Sequence, residues 1–337
     1  MLPAMSASLP DRGDLVIAFS VAFALLPVAA LYVARWWLDR GRSEPPWAFP
    51  LLLLFGGAGG LFFALVGFAE VANLFAFLYG PDAAAEPLLY NAVVAPAAEE
   101  LGKAFILLVF LLTRWYRGPV DGLLYGWAAG AGFACVESFA HFATAYVFQG
   151  TTGWFTEVAL RAGPAVVVHG SATAAVGAFL GLARFDGRPA VAVLAPVCGV
   201  TVALGIHGGW NALLFLSATT LDPDYENLAY LAQPAVLVGV AVALVAALGI
   251  EVRALEGELA SEVAEGRLSV HELAAVLNRR ERRRPAWLRL GSGRAALVGA
   301  ALQLGLALRR YRREGRGAGH VDRLRRDLRA ARRPPTP

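Results

Sequence analysis

Seven apolar runs of about 20 residues constrain this chain more than any other feature of its sequence. A helix of that length crosses the roughly 30 Å hydrocarbon core of a bilayer. Hydrophobic residues make up 57% of the 337 residues, which is more than a soluble chain usually contains. The sequence therefore predicts an all-α fold, a polytopic membrane helix bundle of about seven transmembrane helices. The runs lie at about 14–36, 48–69, 88–113, 121–148, 161–183, 190–217 and 228–250.

The basic residues between these runs predict how the chain crosses the membrane. Lysine and arginine are retained on the cytoplasmic side of a membrane. Arginines follow spans one, three and five, whereas the loops at 80–86 and 221–227 contain no basic residue. This alternation predicts a multi-pass protein of the plasma membrane with an external N-terminus and a cytoplasmic C-terminus.

The last quarter of the chain differs in character and predicts a second region. Residues 251–337 contain twenty arginines and ten acidic residues, whereas residues 1–250 contain ten basic and sixteen acidic ones. We expect a transmembrane domain at 1–250 followed by a basic, partly helical cytoplasmic tail. Within the tail the sequence predicts helices at 252–264 and 269–283, a packed or interfacial helix at 295–308, and disorder in about the last 20 residues.

The arginines of the tail favour contact with the membrane surface. Basic residues near an anionic leaflet each contribute about 1 kcal/mol to binding. We therefore expect anionic lipid as a partner of the tail, including its basic run at 279–284. A specific nucleic-acid partner is not expected, because no recognised nucleic-acid-binding module accompanies the charge.

Span three carries three ionisable residues at membrane depth. Glu99, Glu100 and the only lysine of the chain, Lys103, lie within one apolar run. A charged residue near a helix centre costs about 2.5 to 3.5 kcal/mol on insertion scales, so such a cluster indicates a partner, a water-filled cavity or a function. The i,i+3 and i,i+4 spacings place both carboxylates near the ammonium on one helical face. A structural ion pair and a proton relay are the alternatives.

Spans four to six carry further polar residues at similar depth. At 1.5 Å per residue, the carboxylates and imidazoles of spans three to six lie about 9 to 20 Å below the external surface. We therefore predict that they share a water-filled cavity in the external half of the membrane. The residues of spans four to six are Glu137, His169, His207 and Asn211, and His141 lies one turn above Glu137 as a further candidate.

Two ways of activating water fit these residues. In the first, Glu99 or Glu100 is a general base that takes a proton from the attacking water, and Lys103 keeps its neighbour ionised. In the second, His169, His207 and a glutamate, with Glu137 as the candidate, bind Zn²⁺ and leave one position open for the water. Sequence spacing does not choose between them, because the candidate ligands lie on separate helices.

Four short motifs follow one another on successive spans. They are Glu99-Glu100-x-x-Lys103, Gly132-Phe133-Ala134-x-x-Glu137, His169 followed by Gly177, and His207-x-x-x-Asn211. In this order they resemble the motifs of the PrsW family of intramembrane proteases, which is grouped with the type II CAAX prenyl endopeptidases and the bacteriocin-processing Abi proteins. The resemblance covers about residues 90–215, and the combination is far more specific than any one motif.

The resemblance implies both a fold and an activity. It implies an Abi-like helical core at about 88–217 and hydrolysis of a peptide bond by the residues of the four motifs. The substrate it implies is a single-pass membrane protein, such as an anti-sigma factor, cut near the extracytoplasmic side. This chain departs from the family pattern at Ser138 and His141, where relatives commonly have Asn and Tyr.

Two other functions use ionisable residues at membrane depth. A proton-coupled transporter would show internal repeats and interrupted helices in matching halves, and no convincing repeat is present, although Pro96 and Pro164 could break helices. A non-catalytic membrane scaffold built on the same bundle is the third alternative. Cleavage of a membrane substrate separates the protease from both.

Overall fold

The computed structural model describes residues 12–38, 45–80, 82, 86–278 and 293–332, and in these ranges the regular structure is helical throughout. The all-α prediction is therefore confirmed. The helices are α1 (Arg12–Leu38), α2 (Ala48–Leu54), α3 (Gly60–Tyr79), α4 (Pro87–Leu89), α5 (Ala95–Leu111), α6 (Pro119–Arg161), α7 (Pro164–Asp186), α8 (Pro189–Thr220), α9 (Pro223–Ala264), α10 (Val270–Leu277), α11 (Gly293–Glu314) and α12 (Ala318–Ala331). Two π-helical turns, Phe55–Gly59 and Tyr90–Val94, join α2 to α3 and α4 to α5.

Several of these helices are long and apolar enough to span a membrane. In the described ranges, four continuous stretches meet that condition by length and composition, and the second of them contains both α6 and α7. Helix α5 has only 17 residues and carries the three charged residues, so it is not among them. The membrane helix bundle is thus confirmed, while the count of seven stays a prediction. The stretches are Ala48–Tyr79, Pro119–Asp186, Pro189–Thr220 and Pro223–Ala264.

Proline begins four consecutive long helices. Pro119, Pro164, Pro189 and Pro223 each occupy the first helical position of α6 to α9. At that position the missing N–H costs nothing and the fixed φ of proline already suits a helix. The four prolines therefore set the points at which the chain turns back into the bundle.

Helix α6 breaks at Gly150, close to the predicted end of span four at 148. The backbone φ angle of Gly150 is 67°, in the left-handed region that glycine adopts without a steric penalty. Residues 151–161, called here the return segment, then fold back along the outer part of α6. Trp154 of this segment donates a 2.8 Å hydrogen bond to Ser20 Oγ of α1. The break therefore brings Glu157 and Arg161 of the return segment next to His141 and Glu137 of α6.

Helices α6 and α7 approach each other closely and run antiparallel. A methyl group on Gly126 would lie 2.2 Å from the carbonyl oxygen of Thr173, and one on Gly130 would lie 2.2 Å from that of His169. Only glycine permits two backbones to come so close, and in lipid such close contact is a main source of helix association. This contact positions the face of α7 that carries His169.

The tail forms a small helical unit with its own apolar core. The end of α9 packs with α10, α11 and α12, so the predicted helix at 252–264 is the continuation of α9, and the predicted helix at 295–308 lies within α11. Of the predicted helix at 269–283, the structure describes α10, while residues 279–284 lie outside the described ranges. The core includes Leu259, Leu268, Val276, Leu297, Val298, Leu304, Leu308, Val321, Leu324 and Leu328.

The end of the tail differs from the expectation of disorder. Ala318–Ala331 is helical, and Val321, Leu324 and Leu328 are buried on one side of it. Their i, i+3, i+7 spacing is a helical apolar stripe within an arginine-rich segment. The residue composition of the segment does not reveal this stripe, because its arginines make the segment polar on average. Residues 333–337 lie outside the described ranges.

We expect the Gly126→Ala variant to be less stable than the wild type by about 1 to 3 kcal/mol, the usual cost of overpacking. The added methyl group cannot fit without moving α7 away from α6. Thermal unfolding of the purified protein in detergent measures this effect. Gly205→Ala on α8 is the matched control, because a methyl group there meets open space. Equal melting temperatures for the two variants would contradict the close contact.

Candidate active site

Four helices bring their ionisable side chains together at one place in the bundle. Six of the seven residues predicted for the site belong to this cluster, together with one residue that was not predicted. Helix α5 contributes three of them, and α6, α7 and α8 contribute the rest. The members are Glu99, Glu100, Lys103, Glu137, His169, Thr173 and His207.

Lys103 lies at the centre of the cluster. Its Nζ donates to Glu100 Oε1 at 2.6 Å and to His169 Nδ1 at 3.0 Å, and lies 3.8 Å from Glu99 Oε2. The same ammonium lies 4.1 Å from the centre of the Phe133 ring. A fully buried ammonium is tolerated only when it is paired and hydrogen-bonded. Lys103 meets that condition and links α5 to α7.

Glu100 is buried and fully engaged. Its Oε1 accepts from Lys103 and lies 2.9 Å from His207 Nδ1, and its Oε2 accepts from Thr173 Oγ1 at 2.8 Å. Because a carboxylate only accepts, the hydrogen on His207 must be on Nδ1. The Nε2 of His207 then presents its lone pair on the opposite side of the ring. Glu100 therefore orients His207, and each of its oxygen atoms already has a hydrogen-bond partner.

Glu99 is the member with an unused atom. Its Oε2 is buried, and no described residue donates a hydrogen bond to it. The nearest group is His207 Nε2 at 3.5 Å, which is also a lone pair because the ring hydrogen is on Nδ1. With His207 neutral and Glu99 ionised these are two acceptors, and a proton, a metal ion or a water molecule between them would satisfy both.

The cluster also contains three side chains that could hold a metal ion. Ligand atoms of Glu99, His169 and His207 all lie within 4.8 Å of one another. Two imidazoles and one carboxylate are donors that suit Zn²⁺, and the unused Oε2 of Glu99 is where a cation would be satisfied. His169 directs its Nδ1 lone pair at Lys103, so a metal at that nitrogen would replace the ammonium. The residues present therefore fit zinc.

Glu137 lies on the far side of His169 from Lys103. Its Oε2 is 2.8 Å from His169 Nε2 and accepts from Arg161 Nη2, also at 2.8 Å. Since Lys103 only donates, the ring hydrogen of His169 is on Nε2 and points at Glu137. The sequence proposed Glu137 as the third metal ligand, whereas the structure groups Glu99 with the two histidines. A carboxylate in the position of Glu137 orients an imidazole.

Two candidates from the sequence do not join the cluster. His141 is exposed, and its Nδ1 lies 3.3 Å from Glu157 Oε1 of the return segment. Asn211 is half-buried one turn beyond His207 on α8, and among the described residues it makes no hydrogen bond to the cluster. His141 therefore belongs to the contact between α6 and the return segment.

Sequence reasoning missed two contributors, Thr173 and Arg161. Thr173 lies four residues after His169, so it occupies the same face of α7, and that spacing was the available signal. Arg161 lies at the predicted start of span five, and nothing in the sequence indicates that the chain folds back after Gly150. Its contact with Glu137 depends on that tertiary arrangement.

Comparison with known proteins identifies a family for this chain. A family model described as PrsW family intramembrane metalloprotease matches residues 44–248. The match contains every residue of the cluster and ends before the basic tail. No curated protein and no solved structure matches the chain.

We expect the Thr173→Val variant to be less stable by about 1 to 3 kcal/mol, because it leaves Glu100 Oε2 buried without its donor. Valine keeps the shape of threonine, so packing is preserved. Thermal unfolding in detergent measures the loss, and Thr173→Ser, which keeps the hydroxyl, should recover most of it. Two variants of equal stability would show that the hydrogen bond is unimportant.

Proposed function

The chain belongs to the PrsW family of intramembrane metalloproteases, and on this premise we propose that it hydrolyses a peptide bond of a membrane-anchored protein at Glu99, His169 and His207. Family membership makes the chain a multi-pass membrane protein and a protease. The observation that carries the proposal is the pair of facing acceptors, Glu99 Oε2 and His207 Nε2, 3.5 Å apart. The relation to the CAAX and Abi proteins stays a prediction.

In the metal scheme, Glu99, His169 and His207 would hold one Zn²⁺. A bound zinc ion supplies a water with a pKa near 7 and a Lewis acid for the scissile carbonyl. The open side of the site faces Glu99 and Glu137, whose side chains are 12% and 24% exposed, against 3% or less for the two histidines. Water and substrate therefore enter on the carboxylate side.

The neighbours of the three proposed ligands hold them in position. Glu100 fixes the ring of His207 through Nδ1, and Thr173 in turn fixes Glu100. Glu137 fixes the ring of His169 through Nε2. Carboxylates behind histidine ligands set the tautomer and increase the basicity of the ring, and their loss commonly costs 10- to 100-fold in metal affinity or activity.

The second scheme needs no metal and uses the same carboxylate. Glu99 Oε2 accepts a proton from a water molecule, the resulting hydroxide attacks the amide carbonyl, and the proton passes to the leaving amine. Lys103, 3.8 Å away, stabilises the ionised form of Glu99. The amide of Asn211 is the candidate donor to the oxyanion. In both schemes Glu99 meets the water and Glu100 is a positioning residue.

The proposed substrate is a single-pass membrane protein that is cut near the extracytoplasmic side, and an anti-sigma factor is one candidate. The distribution of basic residues supports an external N-terminus, and this orientation locates the cluster in the outer half of the membrane. The position of the return segment, next to Glu137, supports an entrance on that side.

We expect the Glu99→Gln variant to cleave a single-pass substrate about 10²- to 10⁴-fold more slowly than the wild type. The neutral amide cannot accept the proton of the water, and it lacks the negative charge that binds a cation. Gel electrophoresis of the purified protein with its substrate measures the loss. Glu70→Gln is the matched control, since Glu70 is exposed on α3 outside the cluster. If Glu99→Gln keeps full activity, the proposal fails.

Elemental analysis of the same preparations decides between the two schemes. We expect about one zinc ion per active chain, inhibition by a chelator, and loss of the metal in Glu99→Gln and His207→Ala. Active protein that lacks metal and resists the chelator would support Glu99 as a general base instead. Ion-gradient-dependent uptake in liposomes, without any cleavage, would favour a transporter.

The proposed orientation predicts which positions are accessible from outside the cell. Thr151, on the exposed side of the return segment, and Arg326, exposed on α12, should lie on opposite sides of the membrane. We expect a membrane-impermeant thiol reagent to label Thr151→Cys in intact cells and Arg326→Cys only after lysis. The reverse pattern would overturn the orientation.

A further inference from the structure

A cleft rich in arginine lies where helix α11 of the tail meets the ends of α5 and α7. It is formed by side chains from three separate parts of the chain. We call it the arginine cleft, and its charged lining residues are Arg117, Arg184, Arg309, Arg310, Arg313 and Glu314.

Part of this charge attaches the tail to the bundle. Arg310 Nη1 donates to the carbonyl oxygen of Thr113 at 3.2 Å, and Arg309 Nε donates to that of Phe185 at 3.0 Å. Arg313 donates to the carbonyl oxygen of Arg184. Carbonyl groups at the end of a helix carry partial negative charge, so the arginines of α11 cap α7 and the segment after α5. These contacts explain why α11 lies there, but they leave much of its charge without a counter-ion.

Glu314 is the only acidic residue that lines the cleft in the described ranges, and two arginines share it. Arg184 Nη2 donates to its Oε1 at 3.0 Å, and Arg310 Nε donates to its Oε2 at 2.8 Å. Both oxygen atoms are thus already engaged. One carboxylate balances one of these two guanidinium groups.

The other nearby carboxylates are engaged as well. Asp121 accepts from Arg117 in a bidentate pair at 2.9 and 3.0 Å. Glu258 lies 3.6 Å from Arg309 and 3.2 Å from Arg312. With Arg188, Arg312, Asp186 and Glu251 included, seven guanidinium groups therefore meet five carboxylates around the cleft. The excess positive charge is partly shielded from water, because the side chains of Arg117, Arg184, Arg309 and Arg310 are only 11 to 26% exposed.

The electrostatics of Arg313 reflect this excess. Burial and the neighbouring Arg309 lower the pKa of Arg313, and Asp186 and Glu314 offset only part of that effect. Asp186 itself pairs with Arg188. An anion in the cleft would remove the repulsion among the arginines.

We propose that the arginine cleft binds the phosphate group of an anionic ligand, and that in the membrane this ligand is the headgroup of an anionic phospholipid. Each guanidinium has five N–H donors in a planar fork that matches the oxygen atoms of phosphate. Arg309 and Arg313 each use one of them in the hydrogen bonds described above, and Arg310 uses two. Most donors for a phosphate therefore come from the arginines of α11, because Arg184 of α7 already uses four of its five N–H groups.

The position of the cleft favours a lipid as the source of the phosphate. Arg117 and Arg184 follow spans three and five, which the charge pattern assigns to the cytoplasmic surface. Basic pockets between transmembrane helices on that side bind the headgroups of anionic lipids. Helix α11 lies outside the family match at 44–248, whereas Arg117 and Arg184 lie inside it, so the cleft is formed where the tail of this chain meets the family domain.

The test compares binding of anionic lipid by two charge-matched variants of the full-length chain. Arg310→Gln with Arg313→Gln removes two cleft arginines, whereas Arg326→Gln with Arg329→Gln removes two exposed arginines of α12. Native mass spectrometry counts the phosphatidylglycerol retained by each protein. Thermal unfolding is measured in nanodiscs of phosphatidylglycerol and in nanodiscs of phosphatidylcholine.

We expect phosphatidylglycerol to stabilise the wild type and the α12 variant but not the cleft variant, with binding to the cleft variant about tenfold or more weaker. Equal retention and equal melting shifts in both variants would overturn the proposal. Should the cleft variant fail to fold, a photoreactive phosphatidylglycerol added to the wild type must cross-link to the peptide carrying residues 306–314. Cross-linking elsewhere would also overturn it.

A free anion is distinguished from a lipid in a further arm of the same experiment. Inorganic phosphate is added to the protein in phosphatidylcholine nanodiscs, with sodium chloride at equal ionic strength as the control. Stabilisation by phosphate, without any preference for phosphatidylglycerol, supports the phosphate site and overturns the lipid as its source. If neither phosphate nor phosphatidylglycerol shifts the melting temperature, the site does not exist.

Discussion

The buried ion pair of Lys103 with Glu100 is the interaction on which the rest of the site depends. An ammonium at membrane depth cannot remain charged without partners, and Lys103 finds them on α5 and α7. Glu100 extends the network to α8 through His207 and back to α7 through Thr173. One lysine thus ties three helices together. Because each member is held by a neighbour, removal of one partner leaves another buried and unsatisfied.

Close helix packing is the second condition for this network. Hydrogen bonds reach about 3 Å, so helices carrying short polar side chains must approach closely, and lipid provides no hydrophobic force between them. Gly126 and Gly130 supply the necessary space at the contact of α6 with α7. They lie opposite the carbonyl groups of Thr173 and His169, the two residues that α7 contributes to the cluster. The small residues and the polar residues therefore act as one structural unit.

The active-site cluster and the arginine cleft have opposite electrostatic requirements. In the cluster, Lys103 pairs with Glu99 and Glu100, and Glu99 Oε2, which has no hydrogen-bond donor among the described residues, favours a cation or a water molecule. In the arginine cleft, guanidinium groups outnumber carboxylates and invite an anion. The first lies within the family match, whereas the second combines Arg117 and Arg184 from within the match with helix α11 from outside it. Helix α7 joins the two places, because it contributes His169 to the cluster and Arg184 to the arginine cleft.

The sequence by itself determined the helical class, the membrane location, the family and six members of the cluster, because apolar length, loop charge and motif order are properties of a linear chain. Only the tertiary structure decided how the two adjacent glutamates differ, since Glu99 and Glu100 have the same chemistry and acquire different roles from what faces them. The same holds for Glu137, whose partner Arg161 arrives by a fold-back at Gly150. It holds too for α12, where three buried apolar residues outweigh the arginines around them. Contacts between distant segments are set by packing, which no local pattern encodes.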